Sequence, residues 1–116
     1  MALICYHGTT PHNIDQSRAD IVLKAISDKD IRKIITCIKD EPKSVRQISY
    51  DTGLLVSNVY RKIHELKKNK LLIISASISS ENHKKVFSYK SKVRKVAMMF
   101  NDDDDFDVKI YSNIHQ

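Results

Sequence analysis

A chain of 116 residues is long enough for one domain with a real core and too short for two of ordinary size. Its 41% hydrophobic content, two glycines and two prolines exclude a fibrous or wholly disordered chain, and no apolar run reaches the roughly 18–20 residues of a membrane span. The formal charge of +6 is unevenly spread: Val56 to Lys95 holds eleven Lys and Arg against Glu65 and Glu81, while the rest is net acidic, a footprint that suits nucleic acid or a plain lysine-rich surface.

Residues 1–16 follow neither the helical nor the strand period and carry Gly8, Pro11 and Asn13. They read as a flexible arm, with a short strand as the alternative. The start has no basic leader and no long apolar stretch, so no signal peptide is expected. Cys5 and Cys37 lie far apart without CxxC spacing, so no disulfide is expected and the cytoplasm is the expected compartment.

A short helix is expected after Ser17, with Ile21, Val22 and Ile26 on one side. Ser27 then precedes Asp28, Lys29 and Asp30, an S-x-x-D helix start that puts anions beside unpaired amides. Ile31, Ile34, Ile35 and Ile38 follow at i, i+3, i+4 and i+7, the stripe of an amphipathic helix. That helix should stop before Glu41-Pro42. Ser44 opens the next one with Gln47 as its capping-box partner and Val45 and Ile48 facing inward. It breaks at Asp51-Thr52-Gly53, where Gly53 can supply a positive φ, and Leu54 follows as a buried anchor. A third amphipathic helix is expected with Val56, Val59, Ile63 and Leu66 inward, ending in the basic run Lys67-Lys68-Asn69-Lys70.

From Leu71 the period changes. Leu71 to Ile78, the polar turn Ser79–Lys84, and the stretch Val86, Phe87, Tyr89 predict a β-hairpin. Phe106, Val108 and Ile110 alternate with polar residues as a strand, which favours a second hairpin, 92–100 with 106–111, over a C-terminal helix. The whole reads as α+β, with an arm at 1–16, a main domain at 17–91 and a C-terminal β-hairpin extension at 92–112.

The segments Val45-Arg46-Gln47-Ile48-Ser49, Asp51-Thr52-Gly53-Leu54, Ser57-Asn58-Val59-Tyr60-Arg61-Lys62-Ile63 and Leu66 through Leu72 resemble the winged helix-turn-helix family. The upstream run Val22 to Asp28 followed by Ile31 to Ile35 is similar to the opening of ArsR-type regulators, particularly archaeal ones. The resemblance spans roughly residues 18–90 and implies three to four helices plus a β-hairpin wing. It also implies that the third helix enters the DNA major groove, with Val56, Ser57, Asn58, Tyr60, Arg61, Lys62 and His64 as DNA-binding candidates. Asn can bond adenine and Arg guanine or phosphate. Ser44, Arg46 and Gln47 would meet phosphates, and His83, Lys84 and Lys85 would carry the wing to the backbone or minor groove. Each has a plainer alternative: Tyr60 beside the core, Arg61 and Lys62 solvated, His83 an ordinary loop residue. Leu55 departs from the family, which usually has a polar cap there; water or Ser57 is left to cap this helix.

The closely spaced cysteines with which ArsR-type proteins often sense metals are missing here, and the five histidines show no paired ligand spacing. His7 and His12 could bind a metal only incidentally. No phosphate loop or nucleophile motif is present, and the Asp102–Asp105 run lacks EF-hand spacing, so no enzyme and no cofactor are expected. The expected function is a DNA-binding transcriptional regulator on double-stranded DNA, as a homodimer whose candidate surfaces are the first helix (18–26) and the C-terminal hairpin. The alternative is a protein-interaction module of the transcription machinery, and an RNA binder ranks last for want of an aromatic platform.

Overall fold

The computed structural model describes residues 2–7, 10–13, 16–100, 102 and 106–113. In chain order its elements are strands β1 (Ala2–His7) and β2 (Thr10–Asn13), helices α1 (Gln16–Ile26), α2 (Lys29–Ile38), α3 (Val45–Thr52) and α4 (Val56–Lys68), then strands β3 (Leu72–Ile78), β4 (Lys85–Ser91), β5 (Val93–Phe100) and β6 (Phe106–Ser112). The class is α+β, as expected. A four-stranded sheet has the order β2-β1-β6-β5, and β3-β4 form a separate two-stranded sheet. The principal extents are 59 × 31 × 20 Å.

Helices α2, α3 and α4 bury most of the stripes that their spacing predicts, whereas in α1 Val22 is buried but Ile21 and Ile26, like Ile35 of α2, are only half-buried. Ile31, Ile34 and Ile38 of α2, Val45 and Ile48 of α3, and Val59, Ile63 and Leu66 of α4 are all buried in one core with Val22 and Ala25 of α1. Leu71, Leu72, Val93, Val108 and Ile110 extend that core into the two sheets. Removing such apolar surface from water contributes about 1.5–3 kcal/mol per side chain, the main favourable term in the fold.

The caps follow the sequence at α3 and depart from it at α2. Ser44 Oγ accepts from the Gln47 amide while Gln47 Oε1 accepts from the Ser44 amide, the reciprocal pair expected. At α2 the cap is Asp28, whose Oδ1 accepts from the Asp30 and Ile31 amides. Ser27 is not the cap, because α1 runs to Ile26 and the Ser27 hydroxyl turns back to donate to Lys24 O. Gly53 takes φ +77° and closes α3, its amide donating to Ser49 O. Leu54 packs against the core but is only half-buried. Leu55 opens α4 with no side-chain cap from Ser57 or elsewhere.

Val56, expected inward, is instead 42% exposed, because it is the first residue of α4 and lies a turn ahead of the stripe that begins at Val59. The first hairpin pairs Leu72 with Ser91 through to Ile78 with Lys85. It is tied to the helices by Lys43, whose backbone exchanges two hydrogen bonds with Tyr89.

The second hairpin is β5 with β6, in register Val96↔Ile110, Met98↔Val108 and Phe100↔Phe106. Of the two readings of residues 1–16, the structure has the strand: β1 and β2 pair antiparallel, and β1 runs parallel to β6. Asn113 binds these layers together. Its side-chain amide donates to Lys39 O at the end of α2 and to Ser91 O at the end of β4.

Candidate nucleic-acid interface

Helix α4 buries one side and presents the other. With Val59, Ile63 and Leu66 inward, a rotation of about 100° per residue leaves Ser57, Tyr60, Arg61 and His64 on the outer side, and all four are exposed. Tyr60 is 59% exposed and so does not pack beside the core. Asn58 is half-buried at the edge of this face, its Oδ1 accepting from Arg61 Nη2 at 2.8 Å. That bond holds the guanidinium along the helix surface and leaves its other donors for an acceptor outside.

Lys62 does not join this face. Its ammonium lies 2.6 Å from Asp28 Oδ2 and 3.9 Å from Glu65 Oε2, turned toward the start of α2. The Asp28 carboxylate raises the Lys62 pKa, which keeps the ammonium charged and committed to that pair. The helical period gives the reason: Lys62 adjoins buried Ile63 on the side of α4 that packs toward α2.

Two further bases do share the outer face. Lys68 lies four residues beyond His64, and Lys67 three beyond, both exposed. As a basic run at the helix end they suit the helix dipole, but their spacing from Arg61 and His64 is itself the signal for a common face.

Beside this face a groove of about 510 Å³ is formed where α3, α4 and the hairpin meet. Ser44, Val45 and Arg46 line it from the start of α3, Tyr60 from α4, and Lys84, Lys85, Phe87 and Tyr89 from the hairpin side. Five of the sequence candidates are thereby brought together: Ser44, Arg46, Tyr60, Lys84 and Lys85. The capping box occupies the amides of Ser44 and Gln47, so the donors left in the first turn of α3 are those of Val45 and Arg46. Gln47 is exposed and keeps its side-chain NH2.

His83 is exposed at the hairpin turn with φ +54°, between the groove-lining Asn82 and Lys84 but not itself part of the lining. Lys85 Nζ sits 5.5 Å from the Phe87 ring centroid, a cation–π contact that orients the ammonium along the strand. Phe87, Tyr89, Val86 and Asn82 also belong to the groove, although their sequence pattern announces only a hairpin. Burial raises the Tyr89 pKa, so its hydroxyl stays a neutral donor.

Cys37 lies elsewhere, in a broad depression of about 990 Å³ between α2 and α3. Its sulfur is 3.7 Å from Lys43 Nζ and 3.9 Å from Asp51 Oδ2, and Lys43 and Asp51 pair at 2.7 Å. Burial pushes the thiol pKa up, which opposes thiolate chemistry. Among the described residues no group of three or more His, Cys, Asp or Glu is placed to hold a metal ion, and no helix is long and apolar enough to cross a membrane. His7, His12, His115 and Asp103–Asp105 lie outside the residues whose side chains are described.

The chain matches no protein-family model, no curated protein and no solved structure.

Proposed function

We propose that the chain is a sequence-specific DNA-binding transcriptional regulator of winged helix-turn-helix type, acting in the cytoplasm without catalysis. The observation that carries this reading is the shared surface on which the exposed side of α4, the start of α3 and the basic hairpin adjoin. On this reading α4 is the recognition helix. Ser57, Asn58 and Arg61 near its start reach base edges, where Arg can take guanine and Asn adenine. Arg46, Lys84, Lys85, Lys67 and Lys68 meet phosphates and fix the orientation on the duplex. The order of elements and the ArsR-like opening of the sequence support the same assignment.

The test is fluorescence anisotropy with a mixed-sequence duplex across a salt series, for the wild type and an Arg61→Ala, Lys84→Ala, Lys85→Ala variant. The expected outcome is steeply salt-dependent binding by the wild type. Each lost phosphate contact should flatten the log–log salt slope by about 0.9. No binding at low salt by folded protein would overturn the reading.

One observation favours a second reading, a docking module for another protein. The groove contains Tyr60, Val86, Phe87 and Tyr89, more apolar surface than phosphate contact requires. A Phe87→Ala variant separates the two: it should leave the salt slope intact on DNA, whereas a protein partner seated in the groove would lose it as an anchor.

A further inference from the structure

We propose that the groove between the hairpin and helices α3 and α4 holds a short unpaired stretch of DNA, with bases stacked on Tyr60, Phe87 and Tyr89 and phosphates on Arg46, Lys84 and Lys85. This deepens the DNA reading of the same surface and rests on it. The duplex contacts of that reading use none of the three rings.

The rings meet because of how the hairpin leaves the core. Side chains alternate along β4, so Lys85, Phe87, Tyr89 and Ser91 share one face, and Leu72 lies opposite Ser91. Leu72 and Ser91 are buried, so this is the face that looks toward the helices. Further out the helices no longer cover it: Tyr89 is half-buried, Phe87 is 45% exposed and Lys85 is exposed. Tyr60 comes from α4 to line the same groove, and its phenol lies near enough to Tyr89 to help raise the pKa there. Lys43 exchanges two backbone hydrogen bonds with Tyr89, which ties this part of β4 to the residue before the Ser44 cap. The stacking surface is therefore formed before a ligand arrives, and little ordering is left to be done on binding.

The occupant follows from flatness and charge together. Among the described residues that line the groove, Arg46, Lys84 and Lys85 are cations and none is a carboxylate. Lys85 Nζ stands 5.5 Å from the Phe87 ring centroid, which sets a cation beside a stacking surface. A single strand matches that pairing in every nucleotide, a base with open faces joined to a phosphate. In a duplex each base is already stacked on its neighbours, so only edges and phosphates remain to be bound. The depression around Cys37 points to no ligand class: its Lys29, Arg32 and Lys33 are mixed with Asp40 and Glu41, and Lys43 and Asp51 are paired with each other.

The experiment is fluorescence anisotropy of the full chain with two labelled duplexes of equal length, one fully paired and one with a short central bubble of unpaired bases. The fold of each variant is checked by circular dichroism. Wild type should bind the bubble more tightly than the paired duplex. Phe87→Ala and Tyr60→Ala should each weaken bubble binding by roughly 5- to 100-fold, the loss of one stacked base. The salt slope should hold, because the cations remain. Phe87→Tyr and Tyr60→Phe keep a ring and should keep the affinity. Equal binding of the two duplexes, or alanine variants no weaker than the ring-keeping ones, would overturn the proposal. Tighter binding of single-stranded RNA than of the same DNA sequence would also overturn it, in favour of RNA. Displacement of the bubble by an acidic glutamate–tyrosine copolymer at lower concentration than by unlabelled bubble would overturn it in favour of a protein. Salt-dependent binding of the paired duplex without a bubble preference sinks this inference alone, whereas no binding of either duplex sinks the regulator reading with it.

Discussion

Lys70 takes φ +59°, the left-handed conformation that usually belongs to glycine. It sits just past α4, where the Leu71 amide donates to Leu66 O and the Lys70 amide to Lys67 O, the two bonds of a Schellman turn. Leu66 and Leu71 are both buried, supplying the hydrophobic contact that accompanies such turns. The guanidinium of Arg18 adds donors to Asn69 O and Lys70 O. Lysine therefore bears a Cβ penalty here that glycine would not, offset in part by the greater backbone entropy glycine loses on folding. Lys70→Gly is expected to stabilise the protein by about 0.5–1 kcal/mol, read as a higher denaturant midpoint at unchanged slope. A lower midpoint would mean that the Lys70 side chain contributes more than its backbone costs. The contrast with Gly53 shows what a sequence can announce. Gly53 marks its own turn, whereas a lysine at positive φ carries no mark, so the stop of α4 was legible only as a basic run. Tyr60 was ambiguous for a similar reason, its position at the margin of the apolar stripe fitting either side.

At the scale of elements, the start of α2 and the middle of α4 are joined by a single carboxylate. Asp28 caps α2 through Oδ1 and accepts from the Lys62 ammonium through Oδ2. The Lys62 hydrogen bond is the main reason its carboxyl pKa lies below the ordinary value, with the amides of Ile31 and Asp30 adding to it against the effect of burial. A depressed carboxylate stabilises the folded state fully above its unfolded value, near pH 4, and that stabilisation is lost as pH falls through the folded value. Asn caps about as well as Asp, so Asp28→Asn should keep the cap and remove the ion pair. The expected result is a smaller loss of stability between pH 4 and pH 2 in Asp28→Asn than in wild type, measured by urea unfolding at each pH. Asp28→Ala should cost about 1 kcal/mol more than Asp28→Asn at neutral pH, from the lost cap. Equal acid dependence in wild type and Asp28→Asn would remove Asp28 from the account. Helix existence and the Ser44 cap were legible because short-range patterns determine them. The Asp28–Lys62 pair was not, since it joins residues 34 apart in sequence, and Lys62 was accordingly expected on the DNA-facing side.

Strands from near the two ends of the chain lie side by side. β1 pairs in parallel with β6 across nearly the full sequence, a contact that no local period announces. The alternation at 106–110 made β6 legible, while its second neighbour was not, and the segment 1–16 remained open between arm and strand. The candidate interface was legible in the same partial way: its bases and the α4 face follow from spacing, but the groove aromatics Phe87 and Tyr89 are assigned only once the hairpin is seen beside α3. What keeps the C-terminal hairpin seated on the helices is partly one buried side chain. Asn113, 6% exposed, gives both side-chain hydrogens to the carbonyls of Lys39 and Ser91, and its backbone amide donates to Lys92 O. Asn113→Leu would take away both side-chain donors and put apolar bulk against two carbonyls. A buried acceptor left unsatisfied costs about 1–3 kcal/mol, so the variant should lose stability on that order, with a drop in Tm of several degrees. The α4 face and the groove do not include Asn113. At temperatures where the variant remains folded, its DNA affinity and salt slope should therefore match the wild type. Full stability in Asn113→Leu would show that the layers are held by apolar burial alone, and lost DNA binding by the folded variant would show that the seating of the hairpin governs the orientation of α4.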